Sequence, residues 1–294
     1  MSNEQVSASH AGQVALGHEL RVNRLGFGAM RLTGPGIWGP PNDHSRALAV
    51  LRRAVELGVN FIDTADSYGP NVSEDLISEA LYPYPEGLVI ATKGGQIRPG
   101  PGQWVQDGRP EYLAEAVDKS LKRLKLERID LWQLHRIDRK VPVEESLGAI
   151  KKAQDAGKIR HVGLSEVTVA EIEQAKKILP IVSIQNQYNI TDRKSEAALN
   201  YCEKEKMGFI PWAPIGGNRN PSLHTTGNAL EAEAKRQNVS VVQLALAWLL
   251  QKSPVMLPIP GTSSLAHLDE NMAAEKLQLS PDEWKKIEDL AGKS

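Results

Sequence analysis

From Leu25 onward, strand-like and helix-like segments alternate along the chain, and this alternation constrains the fold most. Short apolar runs typical of buried strands lie at 25–30, 59–63, 87–93, 129–135, 159–165, 181–186, 208–212 and 255–259. Helix-like segments lie at 44–57, 72–81, 110–124, 143–156, 169–179, 192–207 and 228–251, with two more at 264–273 and 281–291. Eight such βα units predict an α/β fold, a (β/α)8 TIM barrel with extra C-terminal helices. A doubly wound sheet would usually need fewer strands and a glycine-rich first turn.

The chain before the first barrel strand is short. Residues 1–14 are small and polar, and they predict a flexible N-terminal tail. The alternating stretch 13–23 around Gly17 predicts a hairpin that caps one end of the barrel. Because no linker rich in Pro, Gly or Ser divides the remainder, residues 15–294 are predicted to form a single domain.

Three segments dense in glycine and proline follow strands one, three and seven of the predicted barrel. They lie at 34–41, 94–108 and 213–227. Such segments are typical of long loops, and in this fold the loops after strands surround the mouth.

The charge pattern excludes two classes of partner. The net charge is −1 and no block of five like charges occurs, so neither nucleic acid nor an anionic membrane surface is expected to bind. The longest apolar run, 241–250, is interrupted by Gln243 and is too short to span a bilayer. A single cysteine, Cys202, fits a reducing compartment, which favours a cytoplasmic location. Small molecules are the expected partners.

The stretch NFIDTADSYG changes from strand residues to small and polar ones. Asp63 closes the second barrel strand, and Tyr68 lies in the loop that follows. Lys93 closes the next strand, and His135 ends the strand in IDLWQLH. Because catalytic side chains collect at the carboxyl ends of barrel strands, these four are predicted to meet at the mouth. Asp66 is a rival carboxylate, but Asp63 lies nearer the stiff end of its strand.

This combination of side chains suits proton transfer. A cation within about 4–6 Å of a phenol lowers the phenol's pKa, while an adjacent carboxylate keeps the lysine charged and in place. Tyr68 is therefore expected to donate a proton near neutral pH, an effect that commonly contributes roughly 10²–10⁴-fold. The imidazole of His135 is expected to hydrogen-bond a substrate oxygen. Each of these residues alone is more often structural than catalytic, so the hypothesis depends on the combination.

The common nucleotide-binding loops are missing from the sequence. Gly26-x-Gly28 lacks its third glycine, since Arg31 stands there, and no GxxxxGK[ST] occurs. A (β/α)8 barrel has its own phosphate site after strands seven and eight, at the start of a short helix. Residues 260–264 read Pro-Gly-Thr-Ser-Ser at this place and predict an anion site. An ordinary serine N-cap explains the same segment equally well.

Seven motifs occur in the order and spacing of one superfamily. They are NFIDTADSYG, VIATKGG, DLWQLH, VGLSE, IQNQYN, IPWAPIGG and IPGTSS…DEN, and through them the chain resembles the aldo-keto reductases over essentially residues 20–291. Within that superfamily, GFGAMRLTGPG, WGPP and ALAWLLQ look like the bacterial branch of pyridoxal reductases and pyridoxine 4-dehydrogenases. The resemblance implies NADPH-dependent reduction of aldehydes or ketones, with Tyr68 as general acid. Asp63 and Lys93 would tune Tyr68, and His135 would orient the carbonyl.

The resemblance also implies a set of coenzyme contacts. The positions concerned are Gly28, Met30, Ser165, Glu166, Gln185, Trp212, Ala213, Pro214, Ile215, Gly216, Gly261, Thr262, Ser263, His267, Glu270 and Asn271. Ser165, Glu166 and Gln185 correspond to carboxamide contacts, and Trp212 to the aromatic ring that stacks on the nicotinamide. The run from 213 to 216 wraps the pyrophosphate, and the last two positions match the adenine side.

Three positions depart from the family pattern. Glu166 stands where many members have asparagine, and an ionised carboxylate cannot donate to the carboxamide oxygen. Gly261 and His267 replace a frequent lysine and a frequent arginine that face the ribose 2′-phosphate. The loss of fixed cations weakens the preference for NADPH, so NADH remains possible. Since His267 would bind phosphate better when protonated, NADPH affinity is expected to weaken as pH rises.

Aromatic residues in the predicted mouth loops suggest a substrate pocket. Trp38 and Trp104, with Arg31 as a further candidate, would give an aromatic slot. Such a slot suits aromatic aldehydes such as pyridoxal, but simpler aldehydes and ketones fit as well. The two tryptophans would equally serve to pack the loops against the rim, and both interpretations stay open.

Other functions use some of the same residues. A class I aldolase would need Lys93 without a firm carboxylate partner. A metal-dependent hydrolase would need several His and Asp ligands at strand ends, where only His135 and Asp63 qualify, so no metal is expected. A non-catalytic regulatory barrel that binds nicotinamide would share every coenzyme residue. The sequence gives no indication of the oligomeric state.

Overall fold

The computed structural model of the chain describes residues 6–216 and 227–291. The strands are β1 Gln13–Leu16, β2 Leu20–Asn23, β3 Phe27–Gly28, β4 Phe61–Asp63, β5 Val89–Gly94, β6 Gln96–Ile97, β7 Val105–Gln106, β8 Ile129–Leu134, β9 Ile159–Ser165, β10 Ile181–Gln185 and β11 Gly208–Phe209. The helices are α1 His44–Glu56, α2 Val72–Leu81, α3 Pro110–Leu124, α4 Val143–Asp155, α5 Val169–Lys176, α6 Glu196–Glu205, α7 Gly227–Arg236, α8 Val241–Lys252, α9 Leu265–Met272 and α10 Pro281–Ala291.

Seven of these strands form one parallel sheet, and the predicted eighth strand closes it into a barrel. The order in the sheet is β11, β10, β9, β8, β5, β4, β3. On one side of the gap, Phe209 N–H donates to Val255 O over 2.9 Å and Leu257 N–H donates to Phe209 O over 2.8 Å. On the other side, Gly26 N–H donates to Pro258 O over 3.0 Å. The predicted (β/α)8 TIM barrel is therefore confirmed. The segment 255–259 occupies the place of the eighth strand, but it is short and is interrupted by a proline.

The strands of the seven-stranded sheet are largely buried, because helices cover the outside of the barrel and side chains fill its interior. All six residues of β5 are buried, and Trp132 of β8 is fully enclosed. Trp248 of α8 is likewise fully enclosed. Lys93, at the carboxyl end of β5, is charged and yet has no exposed surface. A buried ammonium requires compensating partners, and these define the site described below.

Two helix predictions are wrong in their extent. The single helix predicted at 228–251 is two helices, since Asn238 adopts the left-handed conformation at φ 55°. Ser240 then opens α8 by accepting a hydrogen bond from Gln243 N–H, with the reciprocal bond from Ser240 N–H to the Gln243 side chain. The helix predicted from residue 192 begins only at Glu196, because Asn189 Oδ1 accepts two backbone hydrogen bonds at residues 191 and 192 and forms a turn there.

The N-terminal hairpin is confirmed, but the predicted flexible tail is too long. β1 and β2 pair in antiparallel register from Gln13 opposite Asn23 to Leu16 opposite Leu20. Ahead of them, Ala8 is fully buried in a short 3-10 helix, and its N–H donates to Leu57 O over 2.7 Å. The ordered chain thus begins well before residue 14, although residues 1–5 lie outside the described part. The ASHA sequence of this turn has no periodicity that reveals its packing.

The predicted mouth loops have partial structure of their own. Within 94–108, β6 and β7 form a small antiparallel hairpin. In 34–41, Gly34 N–H donates to Gly39 O over 3.0 Å and closes a turn. Of the loop predicted at 213–227, residues 217–226 lie outside the described part of the chain. Within the described ranges, no helix combines the length and the apolar composition that a bilayer crossing needs.

Candidate active site

The four side chains predicted to meet do meet at the carboxyl ends of the barrel strands. Lys93 Nζ, at the end of β5, donates to Asp63 Oδ1 over 2.5 Å and to the Tyr68 hydroxyl over 3.3 Å. A third bond, 2.9 Å long, reaches the Thr64 carbonyl. The His135 ring meets the Tyr68 ring edge-on, with centroids 5.8 Å apart. One ammonium therefore joins the carboxylate and the phenol directly, and the imidazole packs against the phenol.

The Lys93 ammonium is held in its charged form. Burial by itself lowers the pKa of Lys93, but the neighbouring Asp63 carboxylate and Tyr68 hydroxyl outweigh it and raise the pKa overall. A lysine that forms a Schiff base must lose its proton to attack a carbonyl. The firm ion pair with Asp63 is the opposite arrangement, so the geometry does not favour an aldolase.

The expected lowering of the Tyr68 pKa is wrong in direction. Burial raises the pKa of Tyr68, and the Lys93 charge opposes this rise without reversing it. The side chain is only 7% exposed, and its loss of water outweighs the effect of the neighbouring cation. Tyr68 consequently holds its proton at neutral pH, which is the state a general acid must start from.

His135 is a neutral imidazole in this site. Burial, followed by the charges of Lys93 and Arg136, lowers the pKa of His135 well below its usual range. The Nδ1 atom lies 3.2 Å from the Ser67 hydroxyl oxygen, and both side chains are buried. A neutral imidazole can donate one hydrogen bond without adding a second positive charge beside Lys93.

Two glutamines fix the other oxygen of Asp63. Asp63 Oδ2 accepts from Gln133 Nε2 over 3.0 Å and from Gln185 Nε2 over 2.8 Å. The two amides also bind one another, since Gln185 Nε2 lies 3.3 Å from Gln133 Oε1. The amide nitrogen of Gln185 binds Asp63, and the contact of Gln185 with the coenzyme carboxamide stays a prediction. Sequence reasoning missed Gln133, whose only signal was a polar residue in the middle of the apolar strand β8.

Asp66, the rival carboxylate, contacts a different set of residues. Its Oδ2 accepts a hydrogen bond from Tyr112 of α3 over 3.0 Å. Burial and then the nearby Glu74 carboxylate raise the pKa of Asp66 to about 7. The structure therefore supports the choice of Asp63 as the partner of Lys93. Across the described residues, no cluster of three or more His, Cys, Asp or Glu is arranged to hold a metal ion.

Glu166 binds the indole of Trp212, the ring predicted to stack on the nicotinamide. Its Oε1 accepts from the Trp212 indole Nε1 over 2.6 Å and from Gln187 N–H over 2.7 Å, while its own backbone is left-handed at φ 56°. Next to it, Ser165 Oγ accepts from Arg136 Nη1 over 3.0 Å, and the same nitrogen donates to His135 O over 2.5 Å. Sequence reasoning missed Arg136, although a cation directly after a strand-end histidine was a signal for it.

The run Ala213, Pro214, Ile215 and Gly216 forms a tight turn at the mouth. Gly216 N–H donates to Ala213 O over 2.9 Å, and Asn189 Nδ2 donates to the same oxygen over 3.0 Å. Ala213 is left-handed at φ 49°, which costs a residue with a side chain of order 1–3 kcal/mol. Such strain persists where the surroundings impose it, so this turn is a candidate for wrapping a ligand.

The segment 260–264 ends in Ser264, the N-cap of α9, and the anion site predicted there stays a prediction. Ser264 Oγ accepts from His267 N–H over 3.4 Å at the start of α9, and Thr262 Oγ1 accepts from Ser264 N–H over 3.1 Å. Ser263 and His267 remain exposed beside the helix start. Of the predicted adenine-side pair, Glu270 is half-buried and Asn271 is buried.

Gly261 and Gly28 approach each other too closely for side chains. A Cβ on Gly28 would lie 2.7 Å from Ile259 O, and one on Gly261 would collide with the Gly28 carbonyl. A lysine at position 261 is thus excluded by packing in this structure. Met30, the other coenzyme position here, is half-buried in the 3-10 helix Ala29–Leu32.

The two tryptophans predicted to line the substrate pocket share one guanidinium. The Arg98 carbon Cζ lies 3.7 Å from the Trp104 ring centroid and 5.4 Å from that of Trp38. The donors of Arg98 reach the carbonyls of Gly36, Ile37, Ser67 and Gln103. Arg98 therefore ties three mouth loops together, and the tryptophans pack on it as the second interpretation expected. A role of Trp38 and Trp104 in substrate binding stays a prediction, and Arg98 itself was missed.

Comparison with known proteins shows which family the chain belongs to. The model of the Aldo/keto reductase family matches residues 24–291. The chain is 51% identical over 293 residues to an uncharacterized oxidoreductase of Schizosaccharomyces pombe, covering 100% of this chain and 94% of the relative. It is 44% identical over 265 residues to pyridoxine 4-dehydrogenase of Escherichia coli, covering 88% of this chain and 91% of that protein.

The fold comparison agrees with the sequence comparison. The solved structure of a glycerol dehydrogenase from Gluconobacter oxydans superimposes with a TM-score of 0.84 at 25% identity, covering 96% of each chain. Both kinds of likeness extend over nearly the whole barrel, including the strand ends that carry Lys93 and Asp63. The chain therefore belongs to the aldo/keto reductase family and is an NAD(P)H-dependent oxidoreductase of small carbonyl compounds.

Proposed function

We propose that this protein reduces aldehydes or ketones to alcohols with NADPH, and that Tyr68 is the general acid. The observation that carries the proposal is the contact of 3.3 Å between Lys93 Nζ and the Tyr68 hydroxyl, with Asp63 2.5 Å from the same nitrogen. When bound, the reduced nicotinamide coenzyme supplies the hydride. The remaining chemistry is a proton transfer, which side chains of the barrel perform.

Tyr68 gives its proton from Oη to the carbonyl oxygen of the substrate. Lys93 stays protonated and stabilises the phenolate that remains, because its ammonium contacts the phenolic oxygen directly. Asp63 keeps Lys93 charged and in place. His135, as a neutral imidazole beside the Tyr68 ring, donates a hydrogen bond to the same carbonyl oxygen and orients it.

The coenzyme would lie across the mouth from Trp212 to the start of α9. Trp212, whose indole nitrogen is bound to Glu166, presents a flat ring for the nicotinamide. Ser165 and Arg136 would hold the carboxamide, and the turn 213–216 would hold the pyrophosphate. Ser263, His267 and the first backbone N–H groups of α9 would bind the 2′-phosphate, and Glu270 and Asn271 would lie at the adenine.

We further propose aromatic aldehydes, pyridoxal among them, as substrates. The support is the identity of 44% with a pyridoxine 4-dehydrogenase, together with the indoles of Trp38 and Trp104 at the mouth.

A cytoplasmic location is proposed from the single cysteine. Cys202 is buried, and burial raises the pKa of its thiol to about 12, so the thiol stays protonated and reduced, which suits the cytoplasm.

Coenzyme oxidation with a panel of aldehydes tests the proposed function. The purified protein is mixed with NADPH or NADH and with pyridoxal, benzaldehyde or a short aliphatic aldehyde, and the nicotinamide absorbance is followed. We expect consumption of coenzyme that depends on the aldehyde, faster with NADPH and fastest with the aromatic substrates. Binding of NADPH without turnover of any carbonyl compound would instead indicate a regulatory barrel.

The residue at position 267 is expected to control the preference for NADPH. In His267→Arg, a fixed guanidinium beside Ser263 should tighten NADPH binding about tenfold, since a hydrogen bond to a charged group contributes more than a neutral one. NADH has no 2′-phosphate, so its affinity should not change. Titration of the protein's intrinsic tryptophan fluorescence with each coenzyme measures both affinities.

A remote variant completes this test. His18→Arg adds the same charge at an exposed position of the N-terminal hairpin and should leave both affinities unchanged. An unaltered ratio of NADPH to NADH affinity in His267→Arg would show that the 2′-phosphate lies elsewhere.

A further inference from the structure

Ser67 carries a buried hydroxyl group that has no role in the reaction proposed above. It precedes Tyr68 in the loop after β4 and is only 2% exposed. Its Oγ lies 3.2 Å from His135 Nδ1, and within the described residues it has no other hydrogen-bond partner. Its backbone is anchored as well, because Arg98 Nη1 donates to the Ser67 carbonyl over 3.4 Å. The hydroxyl is therefore held against one nitrogen of the imidazole.

A neutral imidazole carries its proton on either Nδ1 or Nε2, and the serine distinguishes the two forms. If Nδ1 carried the proton, it would donate to Ser67 Oγ, and the hydroxyl hydrogen would be left without an acceptor in a buried place. If Nε2 carries it, the hydroxyl donates to the free Nδ1 lone pair and both groups are satisfied. A buried donor without a partner is costly, so the second arrangement is preferred.

We propose that Ser67 is a positioning residue that selects the His135 tautomer with the proton on Nε2. In that form, the nitrogen on the far side of the ring from Ser67 is a donor. It can then bind the lone pair of a carbonyl oxygen, whereas the other tautomer would present a second lone pair to it. The consequence for catalysis rests on the proposed function, but the tautomer itself does not.

The tautomer can be measured without substrate or coenzyme. In protein labelled with ¹⁵N-histidine, the nitrogen shifts and the couplings to the ring protons distinguish a protonated from a bare nitrogen. The His135 signals are identified by their loss in His135→Gln. We expect Nε2 protonated and Nδ1 bare in the wild type and in Ser67→Thr, which keeps a hydroxyl. In Ser67→Ala, the signals should report a mixture of both tautomers.

Kinetics provide a second readout. Loss of one net hydrogen bond should lower kcat of Ser67→Ala by about 3- to 10-fold, with Ser67→Thr close to the wild type and the KM for NADPH unchanged. Ser78→Ala is the matched control. It removes another buried serine hydroxyl, bound to the Asp75 carbonyl within α2, and should alter neither the tautomer nor kcat.

Two results would overturn the inference. One is a wild-type His135 with its proton on Nδ1. The other is Ser67→Ala with His135 entirely in the Nε2 form and kcat unchanged. A wild-type protein that consumes no coenzyme would refute the proposed function instead, while the nitrogen shifts would still decide the role of Ser67.

Discussion

Replacement of Tyr68 by phenylalanine is expected to lower kcat by roughly 10²–10⁴-fold, the usual contribution of a positioned general acid. The ring stays, so the edge-on packing against His135 is kept, and only the proton donor is lost. NADPH binding should be unchanged, because the phenolic oxygen is bound to Lys93 and not to the coenzyme positions. Steady-state coenzyme oxidation and a separate titration of NADPH affinity measure the two quantities.

Tyr84→Phe is the matched control for this prediction. It also removes one half-buried phenolic hydroxyl, but that group donates to the Leu124 carbonyl far from the strand ends. The control should keep its kcat and lose at most a small part of its stability. If Tyr68→Phe kept a tenth or more of the wild-type kcat, another group would have to supply the proton.

Replacement of Lys93 by methionine should have the largest effect on stability. Methionine fills a similar volume but leaves the Asp63 carboxylate buried without its cation. Removing one partner of a buried ion pair costs roughly 3–5 kcal/mol, and we expect that loss in the free energy of unfolding. Turnover should fall as well, since no cation then stabilises the Tyr68 phenolate. Denaturant unfolding and coenzyme oxidation measure the two effects.

The pH range of this stabilisation follows from the sign of the shift. The pKa of Lys93 is raised in the folded chain above its ordinary value of 10.5. Its stabilising contribution is therefore fully present below that ordinary value and is lost as pH rises through the raised one. The difference in unfolding free energy between wild type and Lys93→Met should consequently be constant at neutral pH and shrink only in strong alkali.

A double variant separates stability from catalysis. Asp63→Asn combined with Lys93→Met removes both charges, so no unpaired carboxylate is left behind, and much of the stability should return. Turnover should not return, because the ammonium next to Tyr68 is still missing. Equal stabilities of the single and double variants would show that Asp63 is not buried as a charge in Lys93→Met.

The alternation of segments and the ends of strands could be predicted from the sequence. Near-continuous apolar runs specify buried parallel strands, and Lys93 at the end of one of them has to lie at the mouth. The proximity of the four proposed catalytic residues could therefore be predicted from the sequence. Their meeting follows from the regular geometry of the barrel and needs no knowledge of side-chain contacts.

What could not be predicted depends on contacts between distant residues and on burial. The pairing of Glu166 with Trp212, and of Gln185 with Asp63, joins different strands and loops and has no periodic signal. The pKa of Tyr68 is raised, although a lowered pKa was predicted, because desolvation depends on all the surroundings of a side chain. The packed turn at Ala8 was missed because its binding partner lies at Leu57.

The guanidinium of Arg98 links three of the loops at the rim of the barrel. These loops follow three different strands, and the Ser67 residue that Arg98 binds through its carbonyl also contacts the imidazole of His135. An insertion or deletion in any one of these loops would shift the other two and disturb the proton-donating residues at the same time. Variants of this enzyme that accept new substrates should therefore arise more readily by exchanging side chains on the rim than by changing the length of its loops.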